Sequence, residues 1–234
     1  MKFKENIFEL TAYDFQDDFV AITAEVDEEM FCKHSGLIIS FEEKIFFFHF
    51  TGVKVELVEI TDDLVKYNKL YFKKLDIILE DDVVSFLGHC EKLQRKGVHP
   101  LYGFVFNDSY YDSSKLSYLT NSNHDITTCV GFCIKIIRGF IYNNSEYIKI
   151  NDWSSSSVAN VPQWLLDHIE KFLTIYATEN NLTVDQLFSQ DELKRILPSE
   201  LLSSAFFQNL PIPKSQIDSV RPSLELYIKT LRVA

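Results

Sequence analysis

Residues 34–60, HSGLIISFEEKIFFFHFTGVKVELVEI, decide the fold. Three apolar, β-branched or aromatic runs follow one another: Ser35–Phe41, Lys44–Phe50 and Val53–Ile60. Glu42-Glu43 separates the first two and Thr51-Gly52 the last two, both short enough for tight turns. The pattern predicts an antiparallel meander. With Glu42 and Glu43 as the loop, Phe41 faces Lys44, Gly36 faces His49 and His34 faces Thr51. His34 and His49 then share a sheet face as diagonal neighbours. Ile38, Ile45 and Phe47 lie on that face, and Leu37, Ile39, Phe41, Phe46, Phe48 and Phe50 on the other. Two apolar faces predict a sheet covered on both sides.

Working outward, Phe19–Val26 (FVAITAEV) reads as a further strand before the meander. After it, 62–79 carries apolar residues at loose helical spacing. Glu80–Lys96 is a clearer helix, with acids in its first turn, bases in its last and Gly97 just beyond. Tyr102–Phe106 reads as a short buried strand and Asn107–Asn123 as a long polar loop. Asn121–Ile141 (NSNHDITTCVGFCIKIIRGFI) then runs from polar loop into an amphipathic helix ending near Phe140. Ile148–Ile150 reads as a last strand and Asp152–Ser157 as a linker. Pro162–Asn180, Val184–Phe207 (in two pieces broken at Pro198) and Lys214–Leu231 are helical in pattern. The fold class is therefore α+β: an antiparallel sheet with a packed Cys-bearing helix over 1–151, and a helical C-terminal extension packed on it over 152–234.

The chain has 234 residues, 46% hydrophobic and 24% charged, with 20 Phe and 11 Tyr against 7 Gly. That composition is ordinary for a globular protein with an aromatic core. A net charge of −11 argues against nucleic acid and anionic membranes as partners. The N-terminus MKFKENIFELTAYDF lacks the apolar run of a secretion signal, and no stretch approaches the length of a membrane span. The expected location is cytoplasmic, with Cys32, Cys90, Cys129 and Cys133 as free thiols.

Cys129 falls in the first turn of its helix, where unpaired backbone N–H groups and the dipole favour thiolate. Asp125–Thr128 offers several N-caps. His34, beside Ser35 and Gly36, is placed to act as general base, and His49 to hold its ring in one tautomer. For each there is a structural alternative: Cys129 as a small core residue, the two histidines as hydrogen-bonded core groups. Cys133 reads as core, His124 as a rival base on a loop, and His89, His99 and His168 as ordinary surface or helix residues. Cys32-x-His34 with Cys129-x3-Cys133 is a weaker zinc reading, neither spacing being a common knuckle. No cofactor motif and no metal site is predicted.

The run His34-Ser35-Gly36-Leu37-Ile38-Ile39, the turn, Ile45–His49, Gly52 and Val53–Val55 resembles the histidine hairpin of NlpC-type cysteine peptidases. The Cys helix here follows that hairpin instead of preceding it. That order resembles the circularly permuted branch of the papain-like fold, which includes relatives of lecithin:retinol acyltransferase and permuted deubiquitinating-type peptidases. The resemblance implies Cys129 as nucleophile, His34 as base and His49 as orienting residue. It implies a hydrolase acting on an amide, isopeptide or acyl bond of a peptide, acyl or protein substrate. Two other functions fit the same residues: an acyltransferase or thioesterase, and an inactive interaction, immunity or regulatory protein on the same scaffold.

Overall fold

The computed structural model describes residues 2–61, 67 and 69–231. Its centre is a seven-stranded antiparallel sheet built from β1 (Phe8–Glu9), β2 (Phe19–Val26), β3 (Cys32–His34), β4 (Leu37–Phe41), β5 (Lys44–Phe50), β6 (Val55–Ile60) and β7 (Leu70–Lys74). The strand order is β1-β7-β2-β4-β5-β6, with β3 also paired to β2. Alternating side chains set the register of the meander as expected: Phe41 pairs with Lys44 and Leu37 with Phe48. Glu42 and Glu43 both take positive φ, as a two-residue hairpin loop of this kind requires.

Both faces are covered. Leu37, Ile39, Phe48 and Phe50 join the main core, under α1 (Val83–Arg95) and α2 (Cys129–Phe140). Ile38, Ile45 and Phe47 join a second core, which the N-terminal segment closes with Leu10, Phe15 and Phe19. Phe19 stacks on Phe72 with ring centroids 5.7 Å apart, and Tyr13 meets Phe72 edge-on at 5.2 Å.

Several expectations are corrected. The helix over 62–79 is a strand at β7, where Leu70, Tyr71, Phe72 and Lys73 are all buried. A strand buried on both faces loses its alternation, so its apolar spacing carries no period. Residues 62–66 and 68, including Leu64 and Val65, lie outside the described residues. Val53 belongs to a turn over 51–54, closed by Thr51 N–H donating to Lys54 C=O, so β6 starts at Val55. The strand at Tyr102–Phe106 shortens to β8 (Leu101–Tyr102), paired in parallel with β11 (Ile126–Thr127); between them, β9 (Tyr110–Tyr111) and β10 (Leu119–Thr120) form a small hairpin inside the predicted loop. The strand at Ile148–Ile150 reduces to a single bridge from Ile148 to Ile212.

Beyond residue 151 lie α3 (Gln163–Glu179), α4 (Pro198–Ser204) and α5 (Lys214–Leu231). The helix expected across Val184–Phe207 consists of two 3-10 turns, an irregular stretch and α4, with Pro198 opening α4 as a first-turn residue. Asp152–Ser157 is no linker: Trp153 is buried and its Nε1–H donates to Glu200 Oε1 at 3.3 Å. Leu201, Leu202, Val220 and Leu224 of α4 and α5 enter the main core beside the sheet. Ile169, Leu173 and Ala177 of α3 form a third cluster with Val105 and Ile126.

Candidate active site

The N-terminus of α2 is held by three local devices. Thr128 is the cap: its Oγ1 accepts from Gly131 N–H at 3.2 Å, and its carbonyl accepts from Phe132 N–H at 2.9 Å. Of the cap candidates in 125–128, this one leaves Cys129 as the first helical residue. Just upstream, β11 is pinned to β8 by Leu101 N–H to Asp125 C=O and Gly103 N–H to Thr127 C=O. Asp125 itself is partly buried against the buried Lys135 one helical stretch on, Nζ to Oδ1 being 3.0 Å; Tyr111 O–H donates to the same oxygen at 2.9 Å. The start of the helix is thus tied to its middle and to the preceding loop.

That loop sits on α2 because residue 139 has no side chain. A Cβ on Gly139 would lie 1.7 Å from the Tyr111 carbonyl oxygen, so the backbone itself would have to move. Gly139→Ala is expected to cost about 3 kcal/mol or more, by overpacking. The urea unfolding midpoint checks it; an unchanged midpoint would mean the loop shifts freely.

His34 ends β3, pairing with Glu25 of β2. Its Nε2 lies 2.9 Å from His49 Nδ1, so the diagonal pair read from the meander is in contact. Gly36 permits this: a Cβ there would come within 2.9 Å of the His49 Cβ and 2.4 Å of the Phe47 ring. His49 stacks on Phe47, centroids 4.2 Å apart, and its Nε2 faces Glu56 Oε2 at 3.8 Å.

His34 and Cys129 line one cavity of about 530 Å³, with Phe50, Tyr102, Ile169 and Phe172 among its walls. No hydrogen bond joins the Cys129 thiol to His34; its polar neighbours are the amides of Ser35, Val130 and Cys129 itself. Burial pushes the thiol pKa up, and those amides oppose the rise. Burial lowers the pKa of His34, against the pull of Glu25. His49 is lowered to about 4 by burial and by the charge of His34, with Glu56 opposing. The resting site therefore holds a thiol and neutral imidazoles.

Cys133 is fully buried, as read from the sequence. His99 and His168, read as ordinary surface or helix residues, line the cavity. Both are exposed there, as read, whereas His89, a residue of helix α1, is buried, with Nδ1 3.0 Å from Ser113 Oγ. His124 is absent from the cavity lining, and its ring meets Tyr176 edge-on. Sequence does not single out Tyr102 or Glu56; a two-residue turn at Thr51-Gly52 would pair His49 with Lys54, and only the longer turn over 51–54 brings Glu56 opposite His49. Among the described residues, no three His, Cys, Asp or Glu side chains are grouped to hold a metal ion, and no helix is long and apolar enough to cross a membrane. Comparison with models of protein families, with curated proteins and with solved structures finds no match.

Proposed function

We propose that this chain is a cysteine hydrolase of permuted papain-like type, cleaving an amide, isopeptide or acyl bond through a thioacyl intermediate on Cys129. The observation that carries the reading is that Cys129, at a helix N-terminus, and His34, at a strand end, line one cavity while His49 Nδ1 contacts His34 Nε2. In the proposed step His34 takes the thiol proton, and the sulfur attacks the substrate carbonyl carbon. The S–C bond forms as the bond to the leaving group breaks, and His34 returns the proton to that group. The amides of Cys129 and Val130, which lie beside the thiol, would be the donors to the oxyanion. Water then releases the acyl group. With an alcohol, amine or thiol as acceptor instead of water, the same residues give an acyltransferase. The cavity suits an acyl group: Phe50, Leu101, Ile169 and Phe172 give it apolar walls beside Lys33 and the histidines, and no Asp or Glu is among its lining residues.

The burial of Cys129, at 9% exposure, favours a second reading, a binding protein that uses the cavity without chemistry. One experiment separates the two. Wild type, Cys129→Ala and His34→Ala are treated with p-nitrophenyl acetate and analysed by intact-mass and peptide mass spectrometry. The hydrolase reading expects one transient acetyl group on Cys129, absent in Cys129→Ala and slowed at least tenfold in His34→Ala. Acetylation spread over all four cysteines, or none, leaves the binding reading.

A further inference from the structure

The register that places His49 also fixes its other neighbour. His49 and Glu56 are direct cross-strand partners on β5 and β6. Glu56 gives one carboxylate oxygen to Lys54 Nζ at 2.6 Å and turns the other to His49 Nε2 at 3.8 Å. His49 thus has a carboxylate at one ring nitrogen and His34 Nε2 at the other. We propose that Glu56 is a positioning residue that selects the tautomer of both histidines, leaving His34 Nδ1 unprotonated and available to the Cys129 thiol. This rests on reading His34 as the base for Cys129.

The argument follows single protons. A neutral imidazole carries one N–H, on either nitrogen. With the proton of His49 on Nε2, the N–H points at the Glu56 carboxylate and Nδ1 is a bare acceptor. The 2.9 Å contact then requires His34 to donate from Nε2, which leaves a lone pair on His34 Nδ1. The opposite arrangement aims a bare His49 Nε2 at a carboxylate, which is repulsive. It also places the proton of His34 on Nδ1, where it cannot accept another. Flipping the His49 ring would set carbon atoms against both neighbours, and the Phe47 ring stacked at 21° holds the plane. The other charges facing the pair are Glu25, the cross-strand partner of His34, whose carboxylate is taken up by Lys33 at 2.9 Å, and Lys54, which is paired with Glu56. Burial, which lowers the pKa of both rings, keeps them in the neutral forms this argument needs.

The test uses the whole chain, 15N-labelled, with two-bond 1H–15N correlation spectra of the imidazoles in wild type, Glu56→Gln and Glu56→Ala. His34 and His49 should both carry Nε2–H in wild type. Glu56→Gln, whose amide oxygen keeps a negative dipole end beside Nε2, should preserve that pattern. Glu56→Ala should move both rings toward a mixture and slow iodoacetamide alkylation of Cys129 about tenfold, the usual cost of removing a group that orients an imidazole. Nδ1–H on His34 in wild type, or rings unchanged in Glu56→Ala, would overturn the assignment. The spectra need no substrate. A protein whose tautomers depend on Glu56 but whose Cys129 never acylates would keep this inference and lose the hydrolase reading.

Discussion

Asp125→Ala is expected to lower stability by about 3–5 kcal/mol, the cost of leaving a buried charge without its partner. The side chains of Lys135 and Asp125 are 5% and 10% exposed, so water does not replace the lost carboxylate. Lys135 would retain only the Ile126 carbonyl at 3.3 Å and the face of Tyr111 at 5.6 Å, and the Tyr111 hydroxyl would lose its acceptor. Removing both charges together, as in Asp125→Leu with Lys135→Met, should recover most of the loss, because two apolar groups need no partner. Urea unfolding of the two variants measures the difference. A loss below about 1 kcal/mol in Asp125→Ala would mean the pair behaves as a solvated surface bridge.

The second large effect is acid destabilisation. His49 and His89 both titrate near pH 4 in the folded chain, each lowered chiefly by burial, against an ordinary histidine value of 6.5. Below pH 6.5 the unfolded chain therefore binds protons that the folded chain refuses, and stability falls as pH falls. The fall ends near pH 4, where the folded rings charge as well. Each histidine contributes a loss of about 3 kcal/mol across that window. His34 is shifted in the same direction and is coupled to His49. A combined loss of about 6 kcal/mol is comparable with the whole stability of many domains. The urea midpoint should decline steadily from pH 6.5 to 4, and His89→Gln should flatten the decline. A midpoint constant over that range would show that the rings charge without unfolding the chain.

The parts legible in the sequence are those where one side chain meets water or one face differs from the other. The meander was readable because Glu42-Glu43 and the turn at Gly52 punctuate it, and period-two counting from Phe41–Lys44 brings His34 to His49. Helices α1, α2, α3 and α5 carry caps or a polar face and appear within a few residues of their expected bounds. Strand β7 was hidden because both its faces are buried, Lys73 included. Trp153 was hidden by the serines after it, although an indole that size seldom stays in water. The local settings of Cys129 at a helix start and His34 beside a strand end are legible in the sequence. The cavity walls at His99, Tyr102 and His168 were not, since they arise where α3 and β8 meet the sheet, a contact that no local pattern encodes.

The order of the elements along the chain bears on how the protein is made. The face of the sheet carrying Leu37, Ile39, Phe48 and Phe50 is complete in sequence by Lys74, yet its covers, α1 and α2, are both encoded later. At about 5–20 residues per second, a ribosome holds that aromatic face uncovered for several seconds before Phe140 emerges. For that interval the nascent sheet is a natural client for a chaperone. The cavity is completed later still, because His168, Ile169 and Phe172 of its lining are encoded after the thiol.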